Sequence, residues 1–466
     1  MAEKSVSQML KETLFYDPKP ATVRLSDEEL AAADRYCEGY RAFLDRSKTE
    51  REAVRSVVEL AEARGFRPFD RKAPLKAGDK VYVNNRGKAL LLAVIGTRPI
   101  TDGVSIAAAH IDSPRLDLKP NPLYEDHDLA YFDTHYYGGI KKYQWPTLPL
   151  ALHGVIVRRD GTSVNVCVGE DPDDPVFCVT DLLPHLAAEQ NKRTLAEGIK
   201  GEELNVIVGS LPFADDEKLK EPVKLMALKL LYEKYGITEK DFIRAEIEMV
   251  PAVKARDVGF DRSMVGAYGQ DDRVCAYTAL MAELEAEKPE YTTVTVFADK
   301  EETGSEGNTG LSSDFLLHHI QYLAQQEGAD YKQVLAASVC LSSDVNAAFD
   351  PTFPQVSEER NSSYLNRGCV LTKYTGARGK SSTNDASAEL MARVIDLFEE
   401  NGVCWQTGEL GAVDVGGGGT VAKFVAKMNV DTVDLGVPVL SMHSPFELTA
   451  KLDVYHTYKA YKAFLQ

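Results

Sequence analysis

The sequence lacks several features that mark special classes of protein. Its seven cysteines are scattered and form no Cys-x-x-Cys pair, a usage typical of reduced thiols rather than of a disulfide-stapled secreted domain. No apolar run is long enough to span a membrane, and residues 1–15 have no continuous apolar core of the kind found in signal peptides. There is no internal repeat or low-complexity tract. We therefore expect a cytoplasmic protein that does not bind membranes.

The chain is also poor in positive charge. Its 71 acidic residues outnumber its 53 Lys and Arg residues, which leaves a net charge of −18. This balance argues against nucleic acid as a partner. The glycine run at 416–419 is not followed by Gly-Lys-Ser or Gly-Lys-Thr, so it is not a phosphate-binding loop of that kind. With 466 residues, the chain is too long for a single compact core, and we expect two domains.

Strands and helices alternate over most of the chain. Capping-box patterns at Ser26 and Thr49 predict two helix starts. Strands are predicted at 80–84, 89–95 and 104–109, and helices at 274–287, 311–325, 386–401 and 448–464. This alternation predicts an α/β fold with a mixed, mostly parallel sheet covered by helices.

Residues 119–250 have a different texture. They contain proline-rich turns, short predicted strands at 151–158 and 164–168, and one clear helical pattern at 222–235. We interpret them as a β-rich domain inserted into a catalytic domain that comprises residues 1–118 and 251–466.

Histidine and carboxylate side chains follow several of the apolar runs, where the predicted strands end. They are His110 and Asp112 after 104–109, Glu301 and Glu302 after 293–298, Asp344 after 339–341 and His443 after 437–442, together with Asp271 and Asp272 before a predicted helix. Sites in open α/β sheets form at the carboxyl ends of strands. Imidazoles and carboxylates without a thiolate suit one or two zinc-like ions that keep open positions. The pattern therefore indicates a metallohydrolase.

Each of these residues also has an ordinary structural explanation. Asp271 and Asp272 could cap the helix that follows them. Asp344 could be a loop residue, and His443 could be a buried histidine with hydrogen-bond partners of its own. Single motifs of this kind are weak, so the inference depends on the whole set.

The two consecutive glutamates should point in different directions because they follow a strand. One of Glu301 and Glu302 could then bind a metal while the other faces a water molecule as a base. Asp112 could accept a hydrogen bond from the second ring nitrogen of His110, as carboxylates often do beside metal-bound histidines.

Seven strings of the sequence together resemble the M18 family of zinc aminopeptidases, the aspartyl-aminopeptidase-like group. They are AAHIDSPRLDLKP, GAYGQDDRVCAYTAL, FADKEETGSEGNTG, SSDVNAAFDP, RGKSSTNDASAE, GGGGTVA and MHSPFELTAKLD, and the resemblance extends from about residue 14 to 464. It implies a zinc-exopeptidase-like fold with two cocatalytic zinc ions, for which Co²⁺ or Mn²⁺ could substitute. It also implies an inserted dimerisation domain and assembly into a tetrahedral dodecamer.

The resemblance assigns a role to each candidate residue. His110 and Asp344 would bind one zinc, Glu302 and His443 the other, and Asp271 would bridge both. Glu301 would be the general base, and Asp112 the carboxylate behind His110. The string Leu183-Pro184-His185-Leu186 resembles the segment whose histidine reaches the active site of a neighbouring subunit.

These observations predict an aminopeptidase that removes the N-terminal residue from peptides with a free N-terminus, through metal-activated water. Two alternatives remain open. One is a two-metal carboxypeptidase or deacylase of a related fold, and the other is a non-catalytic assembly protein with a degraded site. Whether acidic, neutral or basic N-terminal residues are preferred is also open at this stage.

Overall fold

The computed structural model describes residues 4–16, 20–213, 215 and 218–466. Residues 1–3, 17–19, 214 and 216–217 lie outside this part, so the expectations for 1–15 and for the two predicted domains extend beyond the described residues. No described helix is both long and apolar enough to cross a bilayer.

The helices in this part of the chain are α1 (Val6–Leu14), α2 (Asp27–Arg46), α3 (Glu50–Glu62), α4 (Pro222–Tyr235), α5 (Gln270–Glu285), α6 (Phe315–Gln326), α7 (Tyr331–Ala337), α8 (Ala388–Glu400), α9 (Ala422–Ala426) and α10 (Lys451–Leu465). The predicted capping boxes begin α2 and α3. The Ser26 and Thr49 hydroxyls each accept the N–H of the glutamate three residues later, whose carboxylate accepts the cap N–H in return. The helices predicted in the C-terminal half are present as α5, α6, α8 and α10, with bounds that differ by a few residues, whereas α7 was not predicted.

The strands are β1 (Arg67–Pro68), β2 (Lys80–Asn85), β3 (Ala89–Val94), β4 (Val104–His110), β5 (Arg115–Asp126), β6 (Leu129–Tyr137), β7 (Leu150–Val157), β8 (Ser163–Val168), β9 (Cys178–Val179), β10 (Val206–Gly209), β11 (Ala245–Pro251), β12 (Arg256–Val258), β13 (Met264–Ala267), β14 (Thr292–Ala298), β15 (Val339–Ser342), β16 (Asn346–Ala347), β17 (Cys369–Thr372), β18 (Trp405–Thr407), β19 (Asp431–Gly436), β20 (Pro438–Leu440) and β21 (Glu447–Ala450). They form three sheets.

A nine-stranded mixed sheet in the order β1-β2-β3-β14-β4-β15-β19-β17-β18 forms the centre of the molecule. Its middle strands β14, β4, β15 and β19 are parallel. Helices cover both faces, as β3 shows: Leu90 and Leu92 pack with residues of α2, α3, α5 and α10, whereas Leu91 and Ala93 pack with α6, α7 and α9. Successive strand residues point to opposite faces, so a strand buried on both sides must be apolar throughout. These features confirm the predicted α/β class.

A seven-stranded sheet takes all its strands, β5 to β11, from the middle of the chain. Its order is β8-β7-β11-β5-β6-β10-β9, and every neighbouring pair is antiparallel. Helix α4 packs on this sheet through Val223 and Ala227, in a separate core that includes the fully buried Trp145. A third sheet has the strand order β12-β13-β21-β20-β16. Its strand β21 contacts helices α5 and α10.

Buried charges join the nine-stranded and seven-stranded sheets. Arg115 forms ion pairs with Glu50 at 3.0 Å and with Glu248 at 3.2 Å, and all three side chains are almost completely buried. Lys88 pairs with Glu50 at 3.3 Å and with Glu246 at 3.4 Å. Removing one member of such a buried pair typically destabilises a protein by about 3–5 kcal/mol. This charged network connects the turn between β2 and β3, and helix α3, to strands β5 and β11 of the seven-stranded sheet.

Candidate metal centre

Three neighbouring parallel strands, β14, β4 and β15, end at one edge of the central sheet. Ala298 pairs with His110, and Ser342 pairs with Ala108, so the residues that follow the three strands lie together. These residues are Asp112, Glu301, Glu302 and Asp344, next to His110 itself. Asp271, in the first turn of α5, and His443, between β20 and β21, reach the same place from the third sheet. The structure thus gathers all the strand-end candidates.

Asp271 lies at the centre of this cluster. Its Oδ1 is 3.2 Å from His110 Nε2, and its Oδ2 is 3.1 Å from His443 Nε2. Farther out, His110 Nε2 is 3.8 Å from Asp344 Oδ1, and His443 Nε2 is 3.5 Å from Glu302 Oε2. Asp271 therefore belongs to two groups of three side chains, one with His110 and Asp344 and one with Glu302 and His443. Within each group the potential ligand atoms lie within 4.8 Å of one another.

The cluster has the chemical properties of a cation site. In the described part of the chain its carboxylates face the imidazoles of the two histidines rather than Lys or Arg side chains. Three buried atoms, His110 Nε2, Asp271 Oδ1 and Glu302 Oε1, have no hydrogen-bond partner. Leaving a buried polar group unsatisfied costs about 1–3 kcal/mol. Nitrogen and carboxylate donors without sulfur fit one or two divalent ions such as zinc.

Burial strongly affects the two glutamates. Burial and the charge of Asp344 raise the pKa of Glu301 to about 8. Burial and the charge of Asp271 raise the pKa of Glu302 well above its ordinary value. Glu301 also forms a third group of potential ligands with His110 and Glu302. Because desolvation and like charges both disfavour ionised carboxylates, only added positive charge would let all of them ionise together.

Asp112 is fully buried beneath the cluster and connects several of its parts. The shorter contact of His110 Nδ1 is with the Asp112 carbonyl oxygen, at 3.1 Å, and the Asp112 Oδ1 is 3.3 Å away. The N–H groups of Glu301 and Glu302 donate to the Asp112 carboxylate at 3.1 and 3.2 Å. The Tyr137 hydroxyl donates to it at 2.6 Å. Asp112 thus links His110 to the turn that carries both glutamates.

Among the residues that touch the cluster, Glu447, Gly139 and Tyr137 were not predicted from the sequence. Glu447 accepts the N–H of His443 at 2.8 Å and that of Asp271 at 3.1 Å. The Gly139 carbonyl accepts from His443 Nδ1 at 2.8 Å, and Tyr137 contacts Asp112 as described. Glu447 is an acidic residue close after His443, a signal that could have been noticed. Tyr137 and Gly139 lie in a β-rich segment and carry no comparable signal.

His185 lies away from these groups. It is exposed, on the loop between β9 and the short 3-10 helix Gln190–Lys192. Three leucines beside it, Leu182, Leu183 and Leu186, are exposed as well. The leucines around His185 are therefore not packed in the single chain, and the role predicted for His185 in a neighbouring subunit stays a prediction.

Comparisons with known proteins agree with this geometry. The family model described as "Aminopeptidase I zinc metalloprotease (M18)" matches residues 43–465. A probable M18 family aminopeptidase 1 from Clostridium acetobutylicum is 51% identical, covering 97% of this chain and 99% of the relative. The crystal structure of an M18 aminopeptidase from Thermotoga maritima is 46% identical, has a TM-score of 0.92, and covers 97% of this chain and 100% of that one.

A more distant solved structure, the S. cerevisiae mApe1 dodecamer, is 21% identical with a TM-score of 0.75, covering 92% of this chain and 96% of that one, and it shares the fold. The resemblance inferred from the seven strings is confirmed by the family match and by the close relatives, which extend over nearly the whole chain. The chain belongs to the M18 family and is a metalloaminopeptidase.

Proposed function

We propose that this metalloaminopeptidase holds two metal ions and removes the N-terminal residue from peptides. The observation that supports two ions is the place of Asp271, whose two oxygens face two different histidines at 3.2 and 3.1 Å. In this proposal His110, Asp344 and Asp271 would hold one ion, and Glu302, His443 and Asp271 would hold the other. Zinc is the expected metal, with Co²⁺ or Mn²⁺ as substitutes.

Different residues of the chain then carry out different steps of the hydrolysis. When bound, the ions would polarise the scissile carbonyl and lower the pKa of a water molecule. Glu301 takes the proton of the attacking water and returns it to the leaving amine. The main-chain N–H of Glu301 donates a hydrogen bond to Asp112 and holds the turn in place, while the Glu301 side chain faces the cluster. The free amino group of the substrate binds beside the acidic side chains, which makes the enzyme an exopeptidase.

We further propose that residues 119–250 form an inserted dimerisation domain and that the enzyme is a cytoplasmic homo-oligomer, a tetrahedral dodecamer built from dimers. The assembly named in the yeast structure supports an oligomer. Exposed leucines of the 119–250 segment, among them Leu182, Leu183, Leu186 and Leu195, also support it because exposed apolar side chains are buried when subunits associate. His185 lies beside these leucines in the sequence, and in this proposal it would reach the active site of a neighbouring subunit.

A substrate panel tests the proposed activity. Unblocked aminoacyl anilides with acidic, neutral and basic side chains are incubated with the enzyme, with and without a chelator, beside N-acylated amino acids. We expect hydrolysis of anilides, loss with chelator, recovery on adding zinc, and no cleavage of the acylated compounds. Cleavage of only the acylated compounds would identify a deacylase or carboxypeptidase. No turnover, with no metal bound near stoichiometrically, would indicate a non-catalytic protein.

A further inference from the structure

The segment 137–139, at the end of β6, touches the metal cluster at three points. The Tyr137 hydroxyl donates to Asp112 Oδ2 at 2.6 Å. The Gly139 carbonyl accepts from His443 Nδ1 at 2.8 Å. Between them, Gly138 lies close enough to the Glu302 side chain that a Cβ added to it would crowd that side chain. The chain leaving β6 therefore reaches the proposed ligands His443 and Glu302 directly, and His110 only through Asp112.

The ring of Tyr137 is held firmly in this position. The side chain is only 7% exposed. The Arg115 guanidinium lies 4.1 Å from the ring centroid and the Lys300 ammonium 5.4 Å from it, distances at which cations attract an aromatic ring. Arg115 is itself fixed by its buried ion pairs with Glu50 and Glu248. The hydroxyl can therefore hold the carboxylate that it contacts in one orientation.

Gly138 permits the close approach of this segment. Its φ of +74° is in the left-handed region, which side chains disfavour. A Cβ at this position would lie 3.2 Å from both Cβ and Oε2 of Glu302. A larger residue would strain the main chain and push on the glutamate.

We propose that Tyr137 is a positioning residue of the metal centre, an inference that rests on the proposed two-metal function. Its hydrogen bond holds Asp112, and Asp112 in turn holds His110 and the turn carrying Glu301. The Gly139 carbonyl fixes which nitrogen of His443 carries the proton and leaves Nε2 for the metal. Metal affinity and turnover therefore depend on the seven-stranded sheet being docked against the central sheet.

Tyr137→Phe tests this inference because it removes only the hydroxyl. Loss of a direct partner of a metal ligand typically costs about 10–100-fold in metal affinity or activity, and Tyr137 acts one contact further out, so its removal should cost about tenfold. We expect a loss of that size in zinc affinity, measured by competition with a chromophoric chelator, and a changed visible spectrum of the Co²⁺-loaded enzyme. We expect kcat to fall while KM stays within about twofold, because Tyr137 does not touch the substrate.

Tyr136→Phe is the matched control. Tyr136 is the preceding residue of the same strand, is 40% exposed, and places its ring beside Lys142 rather than the cluster. Its variant should keep wild-type zinc affinity and kcat. Far-ultraviolet circular dichroism and oligomeric state should be the same for both variants.

Gly138→Ala gives a second test that leaves the phenol in place and should also weaken zinc binding. Equal zinc affinity and kcat for Tyr137→Phe and Tyr136→Phe would overturn the inference. So would wild-type zinc affinity in Gly138→Ala if Tyr137→Phe did not fold. Failure of the wild-type enzyme to bind zinc or to hydrolyse anilides would instead remove the proposed function, so the two failures are distinguishable.

Discussion

Replacing Glu301 with Gln separates the proton-transfer role from metal binding. The amide has almost the same size as the carboxyl group but cannot accept the proton of water. The main-chain N–H of residue 301 will still donate to Asp112, because the substitution does not alter the main chain. The turn that carries Glu302 should therefore keep its position, and the metal ligands should remain in place.

The expected loss is large and appears in kcat. A positioned general base typically contributes about 10²–10⁴-fold, which corresponds to roughly 3–5 kcal/mol of barrier at about 1.4 kcal/mol per tenfold change. The proposed ligand set contains five side chains without Glu301, so all of its donors survive the substitution. KM and zinc content should then stay close to the wild-type values.

The assay is steady-state hydrolysis of the best aminoacyl anilide, with metal content measured on the same preparation. Activity within a few-fold of wild type would show that the roles of Glu301 and Glu302 have been exchanged. Loss of one zinc per subunit would show that Glu301 is a ligand, a possibility raised by its group with His110 and Glu302.

Four further predictions follow from the same geometry. Glu302→Gln should weaken zinc binding, because a neutral oxygen replaces an anionic ligand, and unchanged affinity in a chelator titration would contradict this. His185→Ala should fold and bind metal but lose about 10²–10³ in rate, if the His185 imidazole stabilises the oxyanion across an interface. Oligomers that mix His185→Ala with Glu301→Gln subunits should recover part of the activity. No recovery in such oligomers would refute a shared site. Zinc at 100 times the Kd of each site should stabilise the chelator-treated enzyme by about 2.7 kcal/mol per site, or about 5.4 kcal/mol for the two proposed ions, visible as a higher Tm. Burial raises the pKa of Glu283 to about 7 despite hydrogen bonds from two threonines. Folding favours its protonated form, so its contribution to stability is complete below the unfolded pKa near 4.5 and is lost as the pH rises through about 7. The free energy of unfolding of Glu283→Gln, relative to that of wild type, should therefore rise by about 2–4 kcal/mol between pH 5 and pH 8. Equal Tm differences between the two proteins at both pH values would refute this.

The strand-end residues could be predicted because each follows an apolar run. His110 ends β4, and Glu301 lies three residues past β14. The ends of the apolar runs therefore indicate that both residues lie at the carboxyl edge of the sheet. Capping boxes likewise predicted the starts of α2 and α3. In these places a local pattern contains the whole signal, since a buried strand or a helix start is specified by its own neighbours.

The outer contacts of the cluster could not be predicted in this way. Gly139 and His443 are separated by 304 positions and meet only because the two sheets pack together. Tyr137 is one aromatic residue among many in a β-rich segment, where aromatics are common for packing reasons alone. The hydrogen bond of His110 Nδ1 shows the same limit: the sequence suggested the Asp112 carboxylate, whereas the shorter contact is with the carbonyl oxygen of that residue.

The buried ion pairs of Arg115 and Lys88 have a consequence for exchanging parts between relatives. Transplanting another protein's segment in place of residues 119–250 would remove Glu246 and Glu248 but leave both cations behind. A donor segment without matching carboxylates would take one partner from each cation and leave Glu50 as the carboxylate that both still share. Chimeric enzymes in this family should therefore tolerate such a graft best when positions 50, 88, 115, 246 and 248 are transferred as one unit.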